Sequence, residues 1–131
     1  YGIKEGAVAL SVAHDSHNII AVGVSDEEIT FAVESLIKQE GGIVLVKEGK
    51  IIEEMPMPIA GLMSDQSGEW VDEKLTSIHE KAYTELGICG DVEPVMTLCF
   101  MSLAVIPEIK LTDMGLFDVT TFSFIPVEIS R

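Results

Sequence analysis

The segment from Ser25 to Gly42 carries both start and stop signals for a helix, and short apolar runs flank it on either side. Ser25 followed by Glu28 is a capping box, in which the Ser side chain accepts a hydrogen bond from the first turn and the Glu reaches back to the cap. Apolar residues recur at helical spacing over residues 29–37. Gly41 and Gly42 tolerate the left-handed backbone that ends a helix. A helix this well delimited, between β-branched runs, restricts the chain to folds in which strands pack on helices.

Four short apolar runs predict β-strands at residues 7–12, 19–24, 43–47 and 50–55. Glu48 and Gly49 separate the last two runs and indicate a tight hairpin turn. A second helix is predicted to begin near Ser67 or Gly68, to carry an apolar stripe, and to end at Gly87.

Three segments make up the last third of the chain. Residues 95–106 are almost wholly apolar and predict a buried central strand that Pro107 ends. Residues 108–118 mix polar and apolar types, as a loop does, and residues 120–129 predict a strand at a sheet edge. The whole order predicts an α/β fold in which helices pack on a mixed β-sheet, in a single domain over residues 1–131.

Composition excludes several classes of partner. The net charge is −14, which would repel a phosphate backbone or an acidic membrane surface, and no apolar stretch is long enough to cross a bilayer. Two cysteines without a CxxC motif indicate buried thiols in a reducing cytoplasm. The chain begins with Tyr1 rather than an initiator Met, and we expect it to be a fragment or a processed piece.

The densest polar cluster lies between the first two predicted strands. It consists of His14, Asp15, Ser16, His17 and Asn18. Two imidazoles three residues apart could share a metal, or one could act as acid or base while Asp15 orients it. Asp, Ser and Asn also form hydrogen-bonded turns, and composition alone favours that interpretation. One HxxH is weak evidence for a metal, because zinc sites need three protein ligands and His79 is predicted to lie on a helix surface.

Two further segments carry polar side chains that could either bind a small ligand or cap turns, and composition leaves both interpretations open. One contains Ser64 and Asp65, and the other contains Lys110, Asp113 and Asp118. The chain lacks the paired motifs of cytidine-type deaminases, a GxSxG elbow and a glycine-rich phosphate loop.

Three blocks of the sequence together resemble the C-terminal domain of the adenine deaminase family. They are SVAHDSHNII at residues 11–20, PMPIAGLMS at 56–64, and MTLCF at 96–100 continued by VIPEIKLTDMGLFDV at 105–119. The blocks stand in the family's order and span nearly the whole chain.

The resemblance implies hydrolysis of adenine to hypoxanthine and ammonia, in purine salvage, by a cytoplasmic member of the amidohydrolase superfamily. It also implies that a metal-dependent barrel, holding a binuclear manganese or iron centre, precedes this domain and is its partner, in a homo-oligomer. The barrel's HxH motif is absent here, so none of the family's metal ligands is carried onto this chain and no cofactor is expected in it.

Seen with the family, the 14–18 loop is the candidate for closing over the barrel mouth and contacting the purine. The catalytic candidates are His14, Asp15 and His17. The candidate substrate-binding residues are Ser16, Asn18, Ser64, Asp65, Lys110, Asp113 and Asp118. This hypothesis requires His17, Ser64 and Asp113 to lie on one face. The alternatives are a structural domain that stabilises an oligomer, a free-standing binding module, and an autonomous hydrolase that uses His14 and His17.

Overall fold

The computed structural model describes residues 1–15 and 17–128, and this part contains three helices and seven strands. In chain order they are β1 (Ala7–Leu10), β2 (Ile20–Gly23), α1 (Asp26–Lys38), β3 (Gly42–Lys47), β4 (Lys50–Pro56), α2 (Gly68–Thr84), α3 (Pro94–Phe100), β5 (Ile109–Thr112), β6 (Gly115–Asp118) and β7 (Ser123–Ile125).

The strands lie in two sheets. The larger has the order β2-β1-β3-β4 and the smaller has the order β5-β6-β7. Every described pairing is antiparallel. The predicted α/β class, with helices packed on a sheet, is confirmed, as are the four strands and two helices predicted over the first two thirds of the chain.

The larger sheet is buried on both faces. Successive residues of its two central strands, β1 and β3, point alternately into two separate hydrophobic cores. One face supplies Ala7, Ala9, Val44 and Val46, which pack against Ala32 and Leu36 of α1. The opposite face supplies Val8, Leu10, Ile43 and Leu45, which pack against Ile78 and Ala82 of α2 and Leu98 of α3. The result is three layers, with the sheet between α1 and the pair α2 and α3.

Local signals explain the elements that were predicted. The Ser25 side chain accepts a hydrogen bond from the Glu28 backbone N–H at 3.2 Å, which confirms the first half of the predicted capping box. The Glu28 carboxylate, predicted to reach back to the cap, accepts from the Gly49 N–H at 3.2 Å. Ser67 caps α2 as Ser25 caps α1, through the Trp70 N–H. Glu48 and Gly49 both have positive φ, at 52° and 67°, which matches the tight turn expected between β3 and β4.

The predicted central strand over residues 95–106 is wrong. Residues 94–100 form α3, since the Glu93 side chain accepts from the Met96 N–H and Pro94 occupies the first turn, where its missing N–H costs nothing. Leu98 and Cys99 are buried on one side of α3. A run of apolar residues looks alike whether it forms a buried strand or a short helix, so the pattern did not distinguish them.

The predicted loop over residues 108–118 is also wrong, because it forms the β5–β6 hairpin. Side-chain hydrogen bonds close its turn: the Thr112 hydroxyl donates to the Gly115 carbonyl at 2.8 Å and accepts from the Met114 N–H at 3.2 Å. The strand predicted at a sheet edge is confirmed as β7, although Ile129 lies outside the described residues.

The two cysteines differ in exposure. Cys99 is buried as expected, but Cys89 is exposed, which corrects the prediction of two buried thiols.

In the part of the chain that the structure describes, no helix is both long and apolar enough to cross a membrane.

Candidate functional site

Two loops that carry the polar segments leave the same end of the larger sheet. Leu10 at the end of β1 pairs with Ile43, and Gly42 at the start of β3 pairs with Pro56 at the end of β4. The chain that follows β1 and the chain that follows β4 therefore emerge side by side. The first contains the 14–18 cluster, and the second contains Ser64.

Ser11 fixes these two loops to each other and to the sheet. Its hydroxyl donates to the Gly61 carbonyl oxygen at 2.5 Å and accepts from the Gly42 N–H at 2.7 Å. The backbones approach so closely that a Cβ built on Gly41 would lie 2.5 Å from the Gly61 Cα. The first two sequence blocks are thus joined through the Ser11 hydroxyl, and Gly41, just before β3, packs closely against the second block.

His14 connects the first loop to α3. Its backbone N–H donates to the Cys99 carbonyl at 2.9 Å, and its ring stacks on Phe100 with centroids 5.0 Å apart and planes 19° apart. The start of the third block, at residues 96–100, therefore also reaches this end of the sheet. The chain after β1 therefore contacts the loop after β4 through Ser11 and contacts α3 through His14.

The catalytic candidates of the first loop all face solvent. His14, Asp15 and His17 are exposed, as is Asn18, while Ser16 lies outside the described residues. The His17 backbone has φ of 52° and its N–H donates to the Ala13 carbonyl at 2.6 Å, which forms a turn. The loop combines a turn made by its backbone with side chains that are accessible to another molecule.

Ser64 and Asp65 make local hydrogen bonds at the entry to α2. The Ser64 hydroxyl accepts from the Gln66 N–H at 3.1 Å, and the Asp65 carboxylate accepts from the Gln66 side chain at 2.8 Å. These contacts are those expected of residues that shape a turn.

Lys110, Asp113 and Asp118 lie in the smaller sheet. Lys110 is half-buried in β5, and Asp113 is exposed in the hairpin turn. The Asp118 carboxylate accepts from the Thr120 N–H at 2.8 Å and the Thr121 N–H at 3.3 Å, and the Thr120 hydrogen bond is the main cause that lowers the pKa of Asp118. The common face for His17, Ser64 and Asp113 stays a prediction.

A cavity of about 320 Å³ lies close to the first loop and was missed by sequence reasoning. Apolar side chains dominate its lining, including Val12, Met57 and Leu75. His79 and Glu93 also line it, with Nε2 of His79 2.6 Å from Oε1 of Glu93. His79 is therefore half-buried rather than on the helix surface as predicted. The only signal in the sequence was its place four residues after Leu75, on the apolar stripe of α2.

Among the described residues, no three His, Cys, Asp or Glu side chains lie close enough together to bind a metal ion. These residues do not fit a binuclear centre, so the manganese or iron centre that the resemblance implies stays a prediction about another part of a longer protein.

Comparisons with known proteins agree with the order of the sequence blocks. The family model for the adenine deaminase C-terminal domain matches residues 1–123. An adenine deaminase 2 of Desulfotalea psychrophila is 74% identical over 128 residues, and adenine deaminases of Halalkalibacterium halodurans and Bacillus subtilis are 51% and 47% identical. Each alignment covers 98% of this chain but only 22% of the relative, so the chain spans about a fifth of the length of the proteins it matches. This chain belongs to the adenine deaminase C-terminal domain family.

Proposed function

We propose that this chain is the C-terminal domain of a longer adenine deaminase, which hydrolyses adenine to hypoxanthine and ammonia. The support is its alignment over 98% of its length with proteins named adenine deaminase, in which it corresponds to 22% of the whole. The remaining part of that protein would contain the metal-bearing barrel. A cytoplasmic homo-oligomer completes the proposal.

Within that enzyme, the 14–18 loop contacts the substrate side of the active site. The observation that carries this role is that the base of the loop is held at two points, by the Ser11 hydrogen bonds and by the stacking of His14 on Phe100. A rigid base with exposed polar side chains suits a loop that covers a neighbouring domain, since the groups are positioned before binding.

The chemistry needs proton transfer. Hydrolysis forms a bond from a water oxygen to C6 of adenine and breaks the bond from C6 to the amino nitrogen. The departing amino group must gain one proton to leave as ammonia, and the other proton of the water ends on the ring nitrogen N1. An imidazole donates and accepts protons near neutral pH, which makes His14 and His17 the residues suited to contact the leaving group or the purine edge. Asp15 would orient one of these imidazoles.

A second candidate function is a structural domain that stabilises the whole enzyme without contacting substrate. The local hydrogen bonds of Ser64, Asp65 and Asp118 favour it for those three residues, because their polar atoms already shape turns. Lys110 and Asp113 lie in the smaller sheet, and their substrate-binding role depends on how that sheet meets the rest of the enzyme.

The test uses the full-length protein, with kcat and KM for adenine measured for His14→Ala and His17→Ala. Loss of an acid or base group should lower kcat/KM by about a hundredfold or more, and loss of a substrate contact by about tenfold. Lys50→Ala, an exposed residue at the opposite end of the sheet, is the matched control and should keep full activity. Full activity in both His variants would instead support the structural role.

The autonomous-hydrolase alternative has its own test. The 131-residue chain, supplied with manganese or iron, should not deaminate adenine. Metal-dependent activity from this chain alone would contradict the proposal and assign catalysis to the His14 and His17 pair.

A further inference from the structure

The smaller sheet has no core of its own. Every described residue from 101 to 128 is exposed or half-buried, and the two hydrophobic cores of the described residues are built from other segments. Three strands need a hydrophobic face packed against something else to be stable. The apolar side chains of this region are therefore not buried within this domain.

The strand register collects the aliphatic residues on one face. Leu111 of β5 pairs with Leu116 of β6, which pairs with Ile125 of β7. Residues directly opposite in antiparallel strands point to the same side of a sheet, as does Ile109, two residues before Leu111. We call these four residues, Ile109, Leu111, Leu116 and Ile125, the aliphatic face.

The aliphatic face is open where it is most apolar. Leu111 keeps 81% of its surface exposed and Ile109 keeps 54%. On the opposite face Phe117 contacts the rings of Phe122 and Phe124 at centroid distances of 5.2 and 5.3 Å, so these rings share contacts with one another, although Phe122 and Phe124 also remain exposed. Leu111, Leu116 and Ile125 adjoin one another at one end of the aliphatic face, while Asp118 and Ser123 lie beside Ile109 at the other end. An apolar patch that remains open in a folded chain marks a protein contact surface.

We propose that the aliphatic face is the surface through which this domain packs against the preceding part of its own polypeptide. The inference rests on the proposed function, since it takes the chain to be one domain of a longer enzyme. The aligned relatives are about four and a half times as long as the matched segment, at 22% coverage, so a tethered partner is always present at high effective concentration.

Charge argues against a second copy of this domain as the occupant. Each copy carries a net charge of −14, and two such surfaces brought together repel. A different domain of the same polypeptide need not carry this negative charge. The occupant we infer is therefore an apolar surface of the preceding domain.

The test is thiol accessibility in the full-length enzyme. In a Cys89→Ser background, which removes the exposed native thiol, Leu111→Cys and Ile37→Cys are made separately and their labelling by a small maleimide is timed. Ile37 lies on α1 with 60% exposure and is the matched control. We expect the thiol at position 111 to react at least tenfold more slowly than the one at 37, although it is the more exposed of the two in this domain.

Three outcomes decide the proposal. Labelling at position 111 that is as fast as in the denatured enzyme would overturn it. Slow labelling that becomes fast on dilution of the protein would assign the face to a second copy and would also overturn it. Slow labelling at every concentration supports it. Adenine deamination measured on the same samples separates this inference from the proposed function, because an active enzyme with an open position 111 fails the inference alone, and a protected but inactive one fails the function alone.

Discussion

The hydroxyl of Ser11 lies 2.5 Å from the carbonyl oxygen of Gly61, and this contact joins two loops that are 50 residues apart in sequence. The same hydroxyl accepts from the Gly42 N–H. One small side chain thus satisfies a donor and an acceptor at the end of the larger sheet that carries the candidate site.

Ser11→Ala should lower the free energy of unfolding by about 1–3 kcal/mol, because two half-buried backbone groups lose their partner. Urea denaturation of the wild type and the variant measures the difference. Ser102→Ala, at an exposed serine after α3, should change stability by less than about 0.5 kcal/mol. Equal effects of the two variants would show that the Ser11 contacts contribute nothing specific.

Gly41→Ala and Gly49→Ala separate steric clash from backbone strain. Both glycines have positive φ, at 102° and 67°, so a Cβ costs about 1–2 kcal/mol at either position. At Gly49 nothing lies within 4 Å of the added atom, whereas at Gly41 the Gly61 Cα lies 2.5 Å away. We expect Gly41→Ala to be the more destabilising in thermal unfolding, and a ranking in the other order would contradict the close approach of Gly41 to the loop after β4.

Glu53 on β4 should make stability depend on acid pH. Burial would by itself raise the pKa of its carboxyl, but hydrogen bonds from Lys74, Lys81 and Ser77 outweigh it and lower the pKa from 4.5 to about 2. A lowered pKa in the folded state stabilises the fold above about pH 4.5 and loses that contribution as the pH falls towards 2.

Glu53→Gln is therefore expected to lower the free energy of unfolding at pH 7 by roughly 2–3 kcal/mol and to flatten its pH dependence between 4.5 and 2. Glu54→Gln removes the same charge from the next residue, whose strand partner Val44 belongs to the α1 side of the sheet. Denaturation at a series of pH values should show the full dependence in that control. An unchanged dependence in Glu53→Gln would contradict the role of the cluster.

Glu93 supports α3 in two ways, through its hydrogen bond from the Met96 N–H and its contact with His79. Glu93→Ala should destabilise the chain by about 1–2 kcal/mol, the usual effect of losing a helix cap. Amide exchange at Thr97, whose N–H bonds to the Glu93 carbonyl, should become faster. Asp91→Ala in the preceding turn serves as the control and should leave the exchange rate of Thr97 as it is.

Phe100→Leu tests whether the ring under His14 positions it. Leucine keeps the site apolar but removes the stacked ring, 5.0 Å away between centroids. If His14 acts in deamination, the full-length enzyme should lose several-fold in kcat/KM, and the NMR signals of the His14 ring should shift because the neighbouring ring current is gone. Phe31→Leu, on α1 across the sheet, should do neither. A shifted His14 signal with unchanged activity would show that the stacking on Phe100 is not needed for deamination.

The helices and strands of the first two thirds of the chain could be predicted from the sequence, because the decisive interactions there are local. Ser25 and Ser67 cap helices through groups three residues away, and the Glu48–Gly49 turn needs only the conformations of its own two residues. The polar loop after β1 was predicted for the same reason, since its apolar neighbours are strands on both sides.

Tertiary structure decided which residues of α3 are buried and how the site segments meet. The run at residues 95–106 had no period that separates a strand from a helix. The local Glu93 and Pro94 signals begin α3, and packing against the larger sheet buries its Leu98 and Cys99. The Ser11 contact with Gly61 and the stacking of His14 on Phe100 span 50 and 86 residues of chain. Such contacts depend on how separate elements pack in three dimensions, which no local pattern of side chains encodes.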